Sequence, residues 1–171
     1  MKIELRKWTI EDSPRLVALC NSVDRRYLSN RLPQPYEPSD ALSWISKARQ
    51  IDGVEGVFRA IVVDGRIVGS VSVERRPDIF CVDGEIGYML LPEYCGRGIA
   101  SEAVASICSA AFFELALRRI SAVVFSDNAA SVRVLQKNGF EHEGTMRRAA
   151  LKDGRLCDLL LFGRVLMPCP I

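Results

Sequence analysis

A chain of 171 residues, 49% apolar and 26% charged, is long enough for one domain with a full core and has the balance of a soluble globular protein. A formal net charge of +2, with acids and bases interspersed, leaves no nucleic-acid footprint and no basic stretch for a membrane surface. Six cysteines without a Cys-x-x-Cys pair and a single histidine, His142, exclude a zinc ribbon and a multi-histidine metal site, so no metal is expected.

Neither a secretory signal nor a run of apolar residues long enough to span a bilayer is visible, and reduced thiols in a cytoplasmic protein are the expectation. Ile3-Glu4-Leu5-Arg6-Lys7-Trp8 alternates and predicts a strand. Thr9 or Asp12 caps a helix with Pro14 early in it, ending near Cys20. Three prolines between Leu32 and Pro38 predict a loop, and Ser39-Asp40 caps a helix from Ala41 to Gln50, closed by Asp52-Gly53. Strands follow over Phe58 to Val63 and Arg66 to Glu74, with Asp64-Gly65 as the hairpin turn. A third spans Phe80 to Leu91, bent at Asp83-Gly84. Beyond Gly98, Val104, Ile107, Ala111 and Leu115 recur at helical spacing. A strand from Arg119 to Phe125, a helix from Ala129 to Asn138 and two strands, Glu141 to Leu151 and Arg155 to Leu166, complete a single domain over residues 1–166, with Met167 to Ile171 as a short tail. This order fits an α+β fold, a mostly antiparallel sheet with helices on both faces, and lacks the strict alternation of a doubly wound fold.

The segment from Gly84 to Glu102 reads as strand, glycine turn and helix start. Gly96 and Gly98 allow backbone conformations that side chains forbid, and the N–H groups ahead of the helix suit an anion such as a pyrophosphate. Ile99-Ala100 stands where a P-loop needs lysine and a hydroxyl, and Ser101 where a dinucleotide turn needs its third glycine. A second segment, Asp127 to Phe140, opens a helix with Asn128 and closes it with Asn138-Gly139.

Together, Glu85-Ile86-Gly87-Tyr88, Gly96-Arg97-Gly98-Ile99-Ala100, and Asn128 with Ser131 and Lys137-Asn138-Gly139-Phe140 resemble the GNAT superfamily of N-acetyltransferases, and more closely its RimJ/RimL-like branch, which acetylates N-termini of ribosomal proteins. The resemblance implies a mixed sheet of about seven strands and acetyl-CoA as the cofactor. It places the CoA pyrophosphate on Gly96, Arg97, Gly98, Ile99, Ala100 and Ser101 and the pantetheine arm along Met89, Leu90 and Leu91. Asn128 lies near that arm, and Arg97 and Arg133 near the phosphates. Ser131 would donate to the CoA sulfur. The chain departs from the family in carrying Cys95 before the glycine turn, Leu135 where some relatives have a tyrosine acid, and no glutamate in Val123-Val124-Phe125 or Arg147-Arg148.

Amine acetylation needs a base to free the attacking nitrogen and a donor for the leaving thiolate. Strand alternation puts Glu85 on one face with Gly87 and Met89, where a cleft would desolvate it, and makes it the candidate base. Asp158, in the apolar run Leu156 to Phe162, is a second acid, an anchor for a substrate ammonium or a hydrogen-bonded structural partner. Tyr88 is a core residue or a further donor, and a helix start beside Cys95 would lower its thiol pKa. The expected acceptor is a protein or peptide α-amine. A small amine (a polyamine, aminoglycoside or amino acid) and an idle acetyl-CoA sensor are the alternatives. A monomer or homodimer without nucleic acid or membrane is expected, with residues 30–38 and 143–153 shaping the acceptor site.

Overall fold

The computed structural model describes residues 1–166, and the expected tail, Met167 to Ile171, lies outside them. Its elements run β1 (Ile3–Lys7), α1 (Ser13–Ser22), α2 (Pro38–Ile51), β2 (Gly56–Val63), β3 (Arg66–Arg75), β4 (Asp83–Leu90), α3 (Ile99–Glu114), β5 (Arg119–Phe125), α4 (Ala129–Lys137), β6 (Glu141–Lys152) and β7 (Arg155–Val165). They form one seven-stranded sheet in the order β1-β2-β3-β4-β5-β7-β6. Every neighbouring pair is antiparallel except β4 and β5. The expected mixed, mostly antiparallel α+β fold is borne out. Among the described residues no helix is long and apolar enough to cross a membrane.

Two element starts differ from expectation by three residues, and the other bounds shift by two or fewer. Helix α2 begins at Pro38, whose missing N–H is no loss in a first turn, and Asp40 accepts the N–H of Glu37 at 2.9 Å instead of being the cap itself. Strand β4 begins at Asp83, because Asp78–Phe80 makes a short 3-10 turn whose Ile79 and Phe80 stay exposed. Gly84 is no bend. A Cβ there would lie 2.6 Å from Leu117 and 2.7 Å from Val73, so the glycine permits close packing of the chain that enters β5.

Each face of the sheet has its own core. Helix α3 buries Ile99, Val104, Ile107 and Ala111 against Val57, Ile61, Val71 and Ile86, and Leu135 of α4, Phe140 and Phe162 extend that core. On the other face α1 and α2 bury Leu16, Leu19, Ala41 and Ile45 against Trp8, Phe58 and Ala60. Full burial of one such aliphatic side chain stabilises by about 1.5–3 kcal/mol.

The parallel join is short. Asp83 pairs with Arg119, Gly84 with Ile120 and Glu85 with Ser121, and the pairing then stops. Beyond it Ile86 to Leu90 pair only with β3, and Ala122 to Phe125 only with β7. The sheet therefore splits after Glu85 and Ser121. Its closed end is locked by the buried Asp83, which accepts a bond from Ser121 Oγ at 3.0 Å and lies 3.5 Å from Arg119 Nε. Arg119 in turn pairs with both oxygens of Glu143.

Candidate active site

The split opens toward the glycine turn. After β4 the chain makes a 3-10 turn at Pro92–Tyr94 and reaches Gly96 at φ 76° and Gly98 at φ 80°. Open space surrounds both glycines, so it is backbone conformation rather than crowding that favours glycine there. The first N–H groups of the 16-residue α3 have no acceptor within the helix and lie at its positive end. Gly96, Arg97 and Gly98 are exposed, and the Arg97 guanidinium lies 5.5 Å from the centre of the Tyr94 ring. This is an open cradle of N–H donors with an arginine beside it, suited to a pyrophosphate.

The side chains around Met89, Leu90 and Leu91 anchor on opposite faces: Leu90 packs on the α3 core, Met89 and Leu91 on the α1–α2 core. The Leu91 N–H donates to Val68 O at 2.9 Å, on the β3 side. The β5 side of β4 is a free strand edge from Ile86 onward, which can take an extended ligand as an added strand.

Tyr88 and Ser131 meet across the split. Their hydroxyl oxygens are 2.5 Å apart. Ser131 stands in the first turn of α4, where Asn128 Oδ1 accepts its N–H at 3.1 Å as the helix cap. Burial pushes the Tyr88 phenol above its usual range, opposed by the Ser131 bond, so at neutral pH it is a neutral donor. Tyr88 thus lies against the core and presents a hydroxyl, combining both expected readings.

One contact has only a local signature in the sequence. Asn138 Nδ2 donates to Ser101 O and Ser101 Oγ, each at 3.1 Å, and to Val134 O at 2.8 Å. The end of α4 thereby holds the first turn of α3. In the sequence Asn138-Gly139 reads as a helix stop, and its partner lies 37 residues away.

The expected acids fare differently. Glu85 is on the predicted face, at the last paired position before the split, but it is exposed rather than desolvated, because among the described residues no helix covers the sheet there. Its neighbours across the strands are Glu74 and Ser121. Half-buried Asp158 accepts the Arg148 N–H at 2.7 Å, at a bulge where Arg147, Arg148 and Ala149 stand between the pairs Met146–Leu159 and Ala150–Cys157. Arg133 is exposed on α4. The Cys95 thiol contradicts expectation. Its pKa is raised, by burial and then by repulsion from Asp24 and Glu93, and α3 starts only at Ile99.

The loop between α1 and α2 leans on the second half of the sheet. Tyr27 OH donates to Asp127 O at 3.3 Å, its ring lies 5.8 Å from Phe125, and Lys152 Nζ bonds Asn30 Oδ1 at 3.0 Å. The groove between this loop and the β6–β7 turn, about 950 Å³ including its open mouth, is lined by Asp24, Arg25, Arg26 and Asn30 with Lys152 and Asp153, a mixed and not an acidic rim.

Comparison with known proteins agrees with this geometry. The pattern described as "Acetyltransferase (GNAT) domain" matches residues 2–141. The chain is 32% identical over 138 residues to the L-amino acid N-acetyltransferase AaaT of Escherichia coli, covering 80% of this chain and 82% of that one. It is 43% identical over 81 residues to the uncharacterized N-acetyltransferase YoaA of Bacillus subtilis, a match spanning 47% of this chain and 46% of YoaA. Among solved structures, RimL, a ribosomal L7/L12 α-N-protein acetyltransferase in complex with coenzyme A, superposes with a TM-score of 0.86 at 20% identity over 97% of this chain and 95% of that one. The split sheet, the glycine turn and the sequence match together make this chain a member of the GNAT N-acetyltransferase family.

Proposed function

We propose that this chain moves an acetyl group from acetyl-CoA to the α-amine of a protein or peptide N-terminus, by direct transfer in a ternary complex. The observation that carries the reading is the split after Glu85 and Ser121, with the Gly96–Gly98 cradle at its mouth. When bound, acetyl-CoA supplies an activated thioester. Backbone N–H groups from Gly96 to Ser101 would hold its pyrophosphate, with Arg97 and Arg133 adding charge, and the edge of Met89 to Leu91 and Asn128 would hold the pantetheine. A backbone N–H on the free edge of β4 stabilises charge developing on the carbonyl oxygen. Glu85 accepts the amine proton, directly or through a water, as the nitrogen–carbon bond forms and the carbon–sulfur bond breaks. Ser131, oriented by Tyr88, would donate a hydrogen bond to the departing thiolate, which leaves as CoA–S⁻ and takes its proton from solvent. Asp158 holds the strand bulge by accepting the Arg148 N–H, and strand alternation puts it on the face opposite Leu159 and Glu85, so it is a structural partner and the ammonium falls to Glu85.

A free amino acid is the second reading, favoured by the similarity to an L-amino acid acetyltransferase. Both acceptors present an α-amine next to a carbonyl carbon. A polycation fits less well, because Arg25, Arg26 and Lys152 line the groove.

The deciding experiment incubates the chain with acetyl-CoA and peptides with Ala, Ser or Met N-termini, free amino acids, spermidine and an aminoglycoside, and reads products by mass spectrometry. Peptide α-amine acetylation is the expected result. Acetylation confined to free amino acids selects the second reading, and acetylation confined to spermidine or the drug overturns both. Acetyl-CoA binding without transfer to any acceptor assigns the chain to idle binders.

A further inference from the structure

We infer that the acceptor carries an apolar side chain beside its amine, received by Val123, Phe125, Met146, Leu159 and Leu161. This rests on the proposed reading of the split as the place of transfer to an α-amine.

The strand register brings these residues together. Val123 pairs with Leu161, Phe125 with Leu159, and Leu159 in turn with Met146. Paired residues point to the same side of a sheet, and Glu85 pairs with Ser121, two positions before Val123. The apolar side chains therefore share the face that carries Glu85. Val123 is 41% exposed and the other four are half-buried. None of them belongs to either core: the α3 core takes the alternate residues of these strands, Ala122, Val124, Leu160 and Phe162. A contiguous apolar surface left out of both cores needs an occupant.

Its position says which. The surface starts where β5 parts from β4, and Val123 lies about 7 Å along the strand from Ser121, the span of one side chain and its backbone. Gly87, on the same face of β4, leaves open space within 4 Å of where a Cβ would stand. At the far end the Tyr27 ring, 5.8 Å from Phe125, closes the surface. The floor is thus polar at one end, with Glu74 opposite Glu85, and apolar at the other. An amine docked by Glu85 places its own substituent over Val123 and Leu161. A leucine, methionine or phenylalanine side chain buries apolar area there, whereas a second cation, as in spermidine or an N-terminal lysine, meets an unpaired apolar floor.

The test uses the full chain with acetyl-CoA and peptides that differ only in the first residue: Leu, Phe, Gly, Asp or Lys, with free leucine alongside. The expected kcat/KM for Leu or Phe exceeds that for Gly by about tenfold or more, with Asp and Lys below Gly. Val123→Asp and the milder Leu161→Ala lower the Leu-to-Gly ratio toward one, while calorimetry shows acetyl-CoA binding within about twofold of the parent, which reports an intact fold. Equal kcat/KM for every first residue overturns this inference and leaves α-amine transfer standing. Transfer to spermidine and to no α-amine overturns the underlying reading and this inference with it. If sedimentation shows a dimer that Val123→Asp dissociates without changing the Leu-to-Gly ratio, a second copy covers the face and the inference fails.

Discussion

The two sides of the seam between β4 and β5 are built differently. In β2 all eight residues are buried, because α3 packs on one face and α1 and α2 on the other. In β6 none of the twelve is buried, since it is the sheet edge and has no helix on its Glu85-side face. Stability is concentrated before the seam. After it the sheet keeps a bare face, and at the seam itself lie the free edge of β4 and the glycine turn, which is where a substrate can enter. Regions with few buried contacts are also those that open and move most readily.

The largest test of that contrast is truncation on each side. Ile107→Ala, beneath the first half and fully buried, should destabilise the protein by about 2–5 kcal/mol in urea denaturation. Leu161→Ala, on the bare face, should cost under about 1 kcal/mol, and equal losses would erase the distinction. Next comes backbone strain at the turn. Gly98→Ala, at φ 80°, should cost about 1–2 kcal/mol and weaken acetyl-CoA binding about tenfold. Gly53→Ala, at φ 81° after α2, should carry the same strain and leave binding unchanged, which separates stability from the site. A smaller effect belongs to the cap of α4. Asn128→Ala should cost about 1 kcal/mol by thermal melting, and Asn128→Asp should recover most of it.

The smallest is a pH effect on the covered side. Arg6 pairs with the buried Asp12 at 2.8 Å and holds its carboxyl down at about 2. The unfolded value is about 3.9, so the stabilisation is full above pH ~4 and is lost as pH falls toward 2. Because Arg6 is 40% exposed and screened, the contribution is on the order of 0.5–1 kcal/mol. An acid titration of stability in which Asp12→Asn matches the parent from pH 6 to pH 2 would remove Asp12 from the account.

What is legible from sequence is what is set locally. Asp64-Gly65 and Asp153-Gly154 both turn with left-handed φ at each residue, as the dipeptides predict. The bounds of β5 agree with expectation, since Leu117 before it and Ser126-Asp127-Asn128 after it change the pattern abruptly. Gly96 and Gly98 take the left-handed φ that a glycine turn predicts, and Asn128 caps α4 through the Ser131 N–H, as its place before the helix predicts. What escapes the sequence depends on distant partners. Arg59 sits 7% exposed in the middle of an apolar strand because Asp52 and Glu114 pair with it at 2.6 and 3.1 Å. The upward shift of the exposed Cys95 thiol turns on partial desolvation and on Asp24, in a loop 71 positions earlier, with the neighbouring Glu93 adding to it. Exposure of Glu85 follows from where α1 and α2 stop covering the sheet, which no local pattern encodes.

The seam has a further consequence. All of β1 to α3 precedes it in the chain, all of β5 to β7 follows it, and the backbone crosses once, through Leu115 to Arg118. Ala116 in that crossing is exposed with φ 49°, a natural place for a cut. Residues 1–116 and 117–166 would then be complementary fragments, held by three ladder pairs, by Leu117, Ile120, Leu135, Phe140 and Phe162 in the α3 core, and by the Asn138–Ser101 and Tyr88–Ser131 contacts. A molecule lying along the split touches both fragments and would tighten their association by mass action. Cut there, the chain would serve as a two-piece reporter whose reassembly reads the concentration of its own cofactor.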